Sequence, residues 1–128
     1  MTDIDSAINR AVWFDIPVAD LDRACAFYRA VLAIAVHKEK VNDVAFAVLE
    51  HHGGTGGCLV PAAEHPGAKT GILLYLNVDG RIRDAVRQTE RFAGKVLEPT
   101  HPIGPRGFRA IVLDSEGNRI ALHSPRDA

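Results

Sequence analysis

An internal repeat constrains the fold of this chain more than any other feature of its sequence. The segment "WFDIPVADLDRACAFYRAVLA" begins at Trp13, and "LLYLNVDGRIRDAVRQTERFAG" begins 60 residues later, at Leu73. Val18 aligns with Val78 at this offset. Each segment has the pattern of an apolar strand, a polar turn and an amphipathic helix. The repeat therefore predicts two similar halves.

The hydrophobic period changes to two after each helix, which predicts strands. The predicted strands are residues 35–41, 43–50 and 57–60 in the first half, and residues 95–99, 108–114 and 119–124 in the second. The sequence "DSEGN" before the last strand predicts a hairpin turn in which Gly117 adopts the unusual backbone dihedral. Each half therefore has the order βαβββ.

The predicted halves form a single domain over residues 1–128, with module one at 11–60, a linker at 61–70 and module two at 71–124. Asp20 is the predicted N-cap of the first helix, and Gly94 is predicted to end the second. The expected architecture is α+β. Helices cover one side of a curved mixed sheet, and the other, concave side encloses a cavity.

Composition narrows the function. The 128 residues carry a net charge of −1, and the Lys and Arg residues are scattered, so we expect neither a nucleic acid nor a membrane surface as a partner. No apolar run approaches a membrane span, and the first residues show no signal-peptide pattern. The two cysteines, Cys25 and Cys58, do not indicate a disulfide framework. We expect a cytoplasmic protein.

The doubled βαβββ unit, with "IPVADLDRACAFYRAVL" in its first helix region and "LDSEGNRIALHS" at its end, resembles the vicinal oxygen chelate (glyoxalase / bleomycin resistance / extradiol dioxygenase) superfamily. The resemblance covers residues 11–124. The chain is most similar to an uncharacterised glyoxalase-related group with "WFEIPV", "YLNV" and "EGNRIGLHS", which match Trp13–Val18, Tyr75–Val78 and Glu116–Ser124. The resemblance implies a homodimer, because relatives pair modules or subunits to complete their pockets.

Metal-dependent relatives carry their ligands on the first and last strands of each half. The resemblance places three of these positions at Trp13, Leu73 and Ala121, and the fourth near Cys58–Val60. Indole, isobutyl and methyl groups donate no lone pair to a metal ion. The inherited metal site is therefore predicted to be absent, and we expect no metal and no cofactor.

Alternation along the strands predicts which side chains line the cavity beside these three positions. The predicted lining comprises Trp13, Asp15, Leu73, Tyr75, Asn77, Arg119, Ala121 and His123. Asp15 and His123 can form an acid–base couple in which the carboxylate orients the imidazole. Tyr75 can donate a hydrogen bond to a substrate oxygen. A purely structural role for Asp15 and His123 is the alternative.

Two loops carry further candidates. The stretch "THPIGPRGF", residues 100–108, resembles the loop that folds over the pocket in this family, where Arg106 would meet an anionic ligand; a solvated arginine is the alternative. The stretch "HHGGTGG", residues 51–57, leads into a strand and lacks a following Lys-Ser/Thr, so it predicts a hairpin connection rather than a phosphate loop.

The leading interpretation is a protein that binds a small organic molecule in a metal-free pocket, either passively or as a metal-independent isomerase or lyase acting through Asp15, His123 and Tyr75. One alternative is a drug-sequestering protein of the bleomycin-resistance type. A second is a metal-dependent lyase or dioxygenase whose ligands have moved to Asp15, His123 and Cys58. The sequence does not identify the ligand.

Overall fold

The computed structural model describes residues 11, 13–62 and 72–128. Its elements are β1 (Trp13–Val18), α1 (Leu21–Leu32), β2 (Val36–Val41), β3 (Val44–Leu49), β4 (Gly56–Pro61), β5 (Leu74–Asn77), α2 (Ile82–Arg91), β6 (Lys95–Pro102), a short 3₁₀ helix (Gly104–Arg106), β7 (Phe108–Leu113) and β8 (Arg119–Ser124). Neither α-helix in this part of the chain has the length and apolar character needed to cross a membrane.

The strands form two four-stranded mixed sheets with equivalent orders, β1-β4-β3-β2 and β5-β8-β7-β6. In each sheet the first strand of the module pairs in parallel with the last, and the other pairs are antiparallel. This arrangement confirms the α+β class and the two βαβββ modules. The curved surface is built from two sheets, because β1 and β5 belong to separate ladders in the described structure.

The helices begin and end for different local reasons. Asp20 caps α1 as predicted, because its carboxylate accepts a hydrogen bond from the backbone N–H of Arg23. After α2, Ala93 rather than Gly94 takes the left-handed conformation, with φ of 71°. Gly94 is needed for close packing instead, since a Cβ there would lie 2.7 Å from the carbonyl oxygen of Leu113.

Most strand boundaries agree with the predicted ones. The exception is β6, which continues past the predicted end at residue 99 to Pro102 by means of two register shifts opposite β7. Gly117 has φ of 85° in the β7–β8 turn, as expected. The predicted linker begins within β4, which ends at Pro61, and residues 63–71 lie outside the described part of the chain.

The core lies between the helices and the sheets. Its largest fully buried side chains include Phe27, Tyr28, Leu59, Ile82 and Leu122. The helices of the two modules contact each other as well as their own sheets, so burial of apolar surface stabilises the module pair as one unit.

The β7–β8 turn of module two joins the modules through a buried carboxylate. Asp114 is 2% exposed and accepts a hydrogen bond of 2.6 Å from the Tyr28 hydroxyl in module one. It also accepts from the backbone N–H groups of Glu116 and Asn118. The Asn118 amide donates both to Asp114 and to the carbonyl of Pro17 in β1. These contacts satisfy a charge whose burial would otherwise be unfavourable.

Glu116 extends the same connection at the start of α1. Its carboxylate accepts from the Arg23 guanidinium and from the backbone N–H groups of Ala19 and Asp20. Burial alone would raise the pKa of Glu116. The hydrogen bonds from Arg23 and from the backbone outweigh this effect and lower the pKa to about 2. The turn therefore binds module one through two carboxylates.

Candidate functional site

The concave surface is the face of the two sheets opposite the helices. In module two, Tyr75, Ala121 and Ile111 lie side by side on β5, β8 and β7, so they form one row across the sheet. The next row contains Asn77, His123 and Arg109. The small side chain of Ala121 is fully buried, so the polar groups around it dominate this surface.

A chain of hydrogen bonds orients Arg109 on this surface. The His101 ring donates from Nδ1 to the carbonyl of Pro99 at 2.8 Å, so Nε2 is free of a proton and accepts from Arg109 Nε at 3.1 Å. Arg109 Nη1 donates to the Tyr75 hydroxyl oxygen at 2.5 Å. The guanidinium is therefore held from two sides by neutral acceptors.

His123 is oriented by the backbone of the loop before β7. Its Nε2 lies 2.7 Å from the Arg106 carbonyl oxygen and must donate to it, which leaves Nδ1 as the basic nitrogen of the neutral ring. The ring meets Tyr75 edge-on, with centroids 6.4 Å apart. Arg106 therefore contributes a backbone carbonyl here, while its side chain is exposed and forms no hydrogen bond or ion pair with the described residues.

Module one presents a carboxylate and a thiol at the equivalent place. Cys58 Sγ donates to Asp15 Oδ1 at 3.1 Å, and the Trp13 indole also hydrogen-bonds the sulfur. Burial, followed by the hydrogen bond to Asp15, raises the pKa of Cys58 to about 11. The thiol therefore stays protonated near neutral pH and does not act as a nucleophile.

The remaining predicted residues fall into two groups. Asp15 and His123 have separate partners on separate sheets, so the structure does not bring them together as an acid–base couple. Asn77 turns its side-chain oxygen to the backbone N–H of Asp79. Arg119 is half-buried on the concave surface, and its side chain forms no hydrogen bond or ion pair with the described residues.

A cavity of about 610 Å³ lies between β1 and β5. Its walls are mainly apolar, and they include Phe14, Leu32, Ile34, Leu49, Leu74 and Leu76. Three predicted site residues line the same cavity: Trp13, Tyr75 and Asn77. Asp15, Ala121 and His123 lie on the adjoining concave surface instead. Leu73 is half-buried directly before β5.

The connection between β3 and β4 forms one wall of this cavity. It is the predicted hairpin connection, because it joins antiparallel strands. The His51 ring meets Trp13 edge-on, with centroids 5.8 Å apart, and covers Gly56 so closely that a Cβ there would lie 2.4 Å from the ring. The sequence interpretation of this stretch did not predict a role for His51 in the cavity.

Sequence reasoning also missed Arg109 and His101. Alternation in "FRAIVLD" places Arg109 on the same face as Ile111, but only the strand register puts it beside His123. His101 was predicted to lie in a loop, whereas it pairs with Arg109 in the extended part of β6. Arg109 could therefore have been found only by combining the alternation of β7 with the register between β7 and β8.

The positions that carry metal ligands in relatives do not fit a metal ion in this chain. The Trp13 indole donates a hydrogen bond to sulfur, and Ala121 offers only a buried methyl group. Over residues 11, 13–62 and 72–128, no three His, Cys, Asp or Glu side chains are grouped so that they can hold a metal ion. The pair of Asp15 and Cys58 in particular does not gain His123 as a third ligand.

Comparison with solved structures supports this fold. The chain has a TM-score of 0.67 and 17% identity to a glyoxalase/bleomycin resistance protein/dioxygenase family enzyme from Burkholderia phytofirmans PsJN, covering 88% of this chain and 95% of that one. The fosfomycin resistance protein FosX from Listeria monocytogenes gives a TM-score of 0.67 at 13% identity, covering 91% of this chain and 93% of FosX. A V278E mutant of glyoxalase I from Zea mays gives a TM-score of 0.71 at 21% identity, covering 88% of this chain and 45% of the maize chain.

These identities show a shared fold and no more. No curated protein matches the sequence. The family model described as Glyoxalase/Bleomycin resistance protein/Dioxygenase superfamily matches residues 8–122, which is nearly the whole chain. The chain therefore belongs to the glyoxalase/bleomycin resistance protein/dioxygenase superfamily.

Proposed function

We propose that this protein binds a small organic molecule in the cavity between β1 and β5, with no metal ion in the site. The observation that carries the proposal is the cavity itself. Its volume of about 610 Å³ is typical of small-molecule sites, and its apolar walls adjoin a surface with a few oriented polar groups. Both modules contribute to it, so the ligand would bind only to the assembled pair.

The residues that line the cavity favour a ligand with an apolar part and a polar part. Leu74, Leu76 and Phe14 favour an apolar group inside the cavity. Tyr75 lies where the cavity meets the concave surface, and its hydroxyl accepts a hydrogen bond from Arg109. Its own proton is therefore available to a ligand oxygen. Trp13 supplies a flat apolar surface on the opposite side.

A metal-independent isomerase or lyase is the second candidate, and the geometry of His123 favours it. The Arg106 carbonyl fixes the ring with Nδ1 as its basic nitrogen, and Tyr75 lies beside it as a proton donor. Asp15 would then act independently of His123, since it accepts from Cys58. A sequestering protein would use the same pocket without proton transfer.

A thermal-shift screen of small organic molecules tests the binding proposal, because a ligand that binds the folded state raises the apparent stability. Trp13 is the only tryptophan, so its fluorescence reports directly on the cavity. We expect Ile34→Phe, which narrows the cavity, to abolish both responses. The matched control Val44→Phe, at a site 58% exposed, should retain them.

Equal ligand responses in the two variants would contradict binding in this cavity, and a library without any stabilising compound would contradict the proposal as a whole. Mass spectrometry of the bound compound then separates the candidates. Conversion that His123→Ala abolishes without loss of affinity supports an enzyme. A compound recovered unchanged supports sequestration.

We further propose a homodimer in the cytoplasm, as the family resemblance and the composition lead us to expect. Light scattering should give twice the chain mass of 13.9 kDa. A monomeric mass would contradict the dimer, and cell fractionation checks the location.

A further inference from the structure

Arg109 carries a positive charge that no carboxylate balances within the described part of the chain. Its two side-chain partners there are the Tyr75 hydroxyl and the His101 ring, both neutral. Glu98 approaches His101 Nε2 at 3.8 Å but makes no ion pair with Arg109. A half-buried guanidinium without a counter-charge is unusual, because burial favours pairing.

Other arginines of the chain show the contrast. Arg23 binds Glu116, Arg81 binds Asp84, and Arg83 binds Asp127. Each of these three guanidinium groups forms an ion pair with a neighbouring carboxylate. Arg109 and Arg119 instead lie on the concave surface without an acidic partner among the described residues. Arg109 differs from Arg119 because Tyr75 and His101 hold its guanidinium in place without neutralising it.

The hydrogen bonds around Arg109 also fix what it can recognise. Nε is committed to His101 and one N–H of Nη1 to Tyr75, so the remaining N–H groups of the fork can donate to a ligand. The Tyr75 hydroxyl accepts from Arg109, and its proton can be donated in turn. One fixed guanidinium and one hydroxyl match the two oxygens and single charge of a carboxylate.

We propose that Arg109 and Tyr75 form a carboxylate-binding end of the site, so that the ligand is a small organic acid whose apolar part occupies the cavity between β1 and β5. This inference rests on the proposed function and adds the chemical class of the ligand. Tyr75 links the two regions, since it lines the cavity and contacts Arg109.

Matched probes that differ only in charge test the inference. Titrations would follow Trp13 fluorescence with 3-phenylpropionate against 3-phenylpropionamide, and hexanoate against hexanamide. We expect each carboxylate to bind about tenfold more tightly than its amide, the scale of a charge-assisted hydrogen bond. Arg109→Gln should remove this preference by weakening carboxylate binding about tenfold, with amide binding changed less than about twofold. Arg87→Gln, on α2, is the matched control and should keep the preference.

The outcomes separate the two proposals. If the amides bind as tightly as the carboxylates, the inference is wrong and the proposed function stands. If Arg109→Gln weakens both members of each pair equally, Arg109 does not recognise the charge and the inference is also wrong. If no probe binds although the thermal-shift screen yields a ligand, the inference is wrong and the proposed function stands. If neither the probes nor the library yields a ligand, the proposed function fails together with the inference.

Circular dichroism and the melting temperature would show whether Arg109→Gln is folded. Should it not fold, two measurements keep the inference testable. Arg109→Lys retains the charge and should keep a reduced preference for the carboxylates. In the unmodified protein, added NaCl should weaken carboxylate binding and leave amide binding unchanged, because salt screens charge. The absence of any salt effect on the carboxylates would overturn the proposal.

Discussion

The two modules share strand order and helix placement, yet the connections between their last two strands have different roles. In module two the β7–β8 turn, residues 114–118, reaches across to module one and binds it through Asp114 and Glu116. In module one the β3–β4 connection, residues 50–55, stays within its own module and lines the cavity. The repeat determines the framework, whereas the connections determine how the modules join and where a ligand fits.

The concave surfaces differ as well. Asp15 in module one is the repeat equivalent of Tyr75 in module two, since the two positions are 60 residues apart. The first pairs with a protonated thiol, and the second contacts a guanidinium. The modules therefore present different charges on the concave surface beside the cavity, and the proposed recognition of a carboxylate would involve module two.

The largest expected effect comes from removing the buried carboxylate of the β7–β8 turn. Asp114→Ala leaves the Tyr28 hydroxyl and two backbone N–H groups without their acceptor, so we expect the free energy of unfolding to fall by about 3–5 kcal/mol. Urea denaturation measures this change. The control is His52→Ala in the equivalent connection of module one. His52 is 85% exposed, and we expect a change within about 0.5 kcal/mol.

Similar losses in these two variants would show that the connections carry equal structural weight, contrary to the contrast drawn between them.

A pH series provides the second test. The pKa of Glu116 is about 2 in the folded protein, below its ordinary value of 4.5. The stabilisation is therefore fully present above about pH 5 and is lost as the pH falls towards 2. We expect Glu116→Gln to lower the free energy of unfolding at pH 7 by about 2 kcal/mol, less than the full shift implies because Arg23 remains half exposed.

The difference between Glu116→Gln and the unmodified protein should shrink between pH 5 and pH 2. The control is Glu50→Gln in module one. The backbone hydrogen bond from Ala35 lowers the pKa of Glu50, but Glu50 is exposed to solvent, so the effect of its substitution should be smaller. A difference that stays constant from pH 7 to pH 3 would contradict the assigned role of the Glu116 carboxylate.

Local patterns predicted most of the fold because helical periodicity, alternation and capping are encoded over a few residues. Asp20 and Gly117 have the roles expected of them. Gly94 was assigned as a helix stop, whereas its role depends on the approach of Leu113 from β7, which is a tertiary contact. The extension of β6 to Pro102 depends similarly on its irregular pairing with β7.

For the candidate site, alternation predicted only the face of each strand on which a side chain lies. Alternation assigned Trp13 and Tyr75 to the inner face, and the structure places both on one cavity. Alternation does not give the distance between the two sheets, and in the structure Asp15 and His123 bind Cys58 and the Arg106 carbonyl rather than each other. Alternation also does not give the register between β7 and β8, and without this register nothing distinguishes Arg109 from other arginines on strands.

The smallest expected effect tests whether the β3–β4 connection shapes the cavity. Gly56→Ala places a methyl group about 2.4 Å from the His51 ring, so the position of the ring relative to Trp13 must change. We expect the free energy of unfolding to fall by about 1–2 kcal/mol and the Trp13 emission to shift. Thermal melting and fluorescence measure the two effects.

Gly54→Ala is the matched control in the same connection, since a Cβ at Gly54 meets no atom within 4 Å. It should leave both measurements close to those of the unmodified protein. If it changes the Trp13 emission as much as Gly56→Ala does, the response reflects general disturbance of the connection. If only Gly56→Ala changes it, the position of the His51 ring controls the wall of the cavity. Module one then contributes to the site by shape, and module two contributes to it by charge.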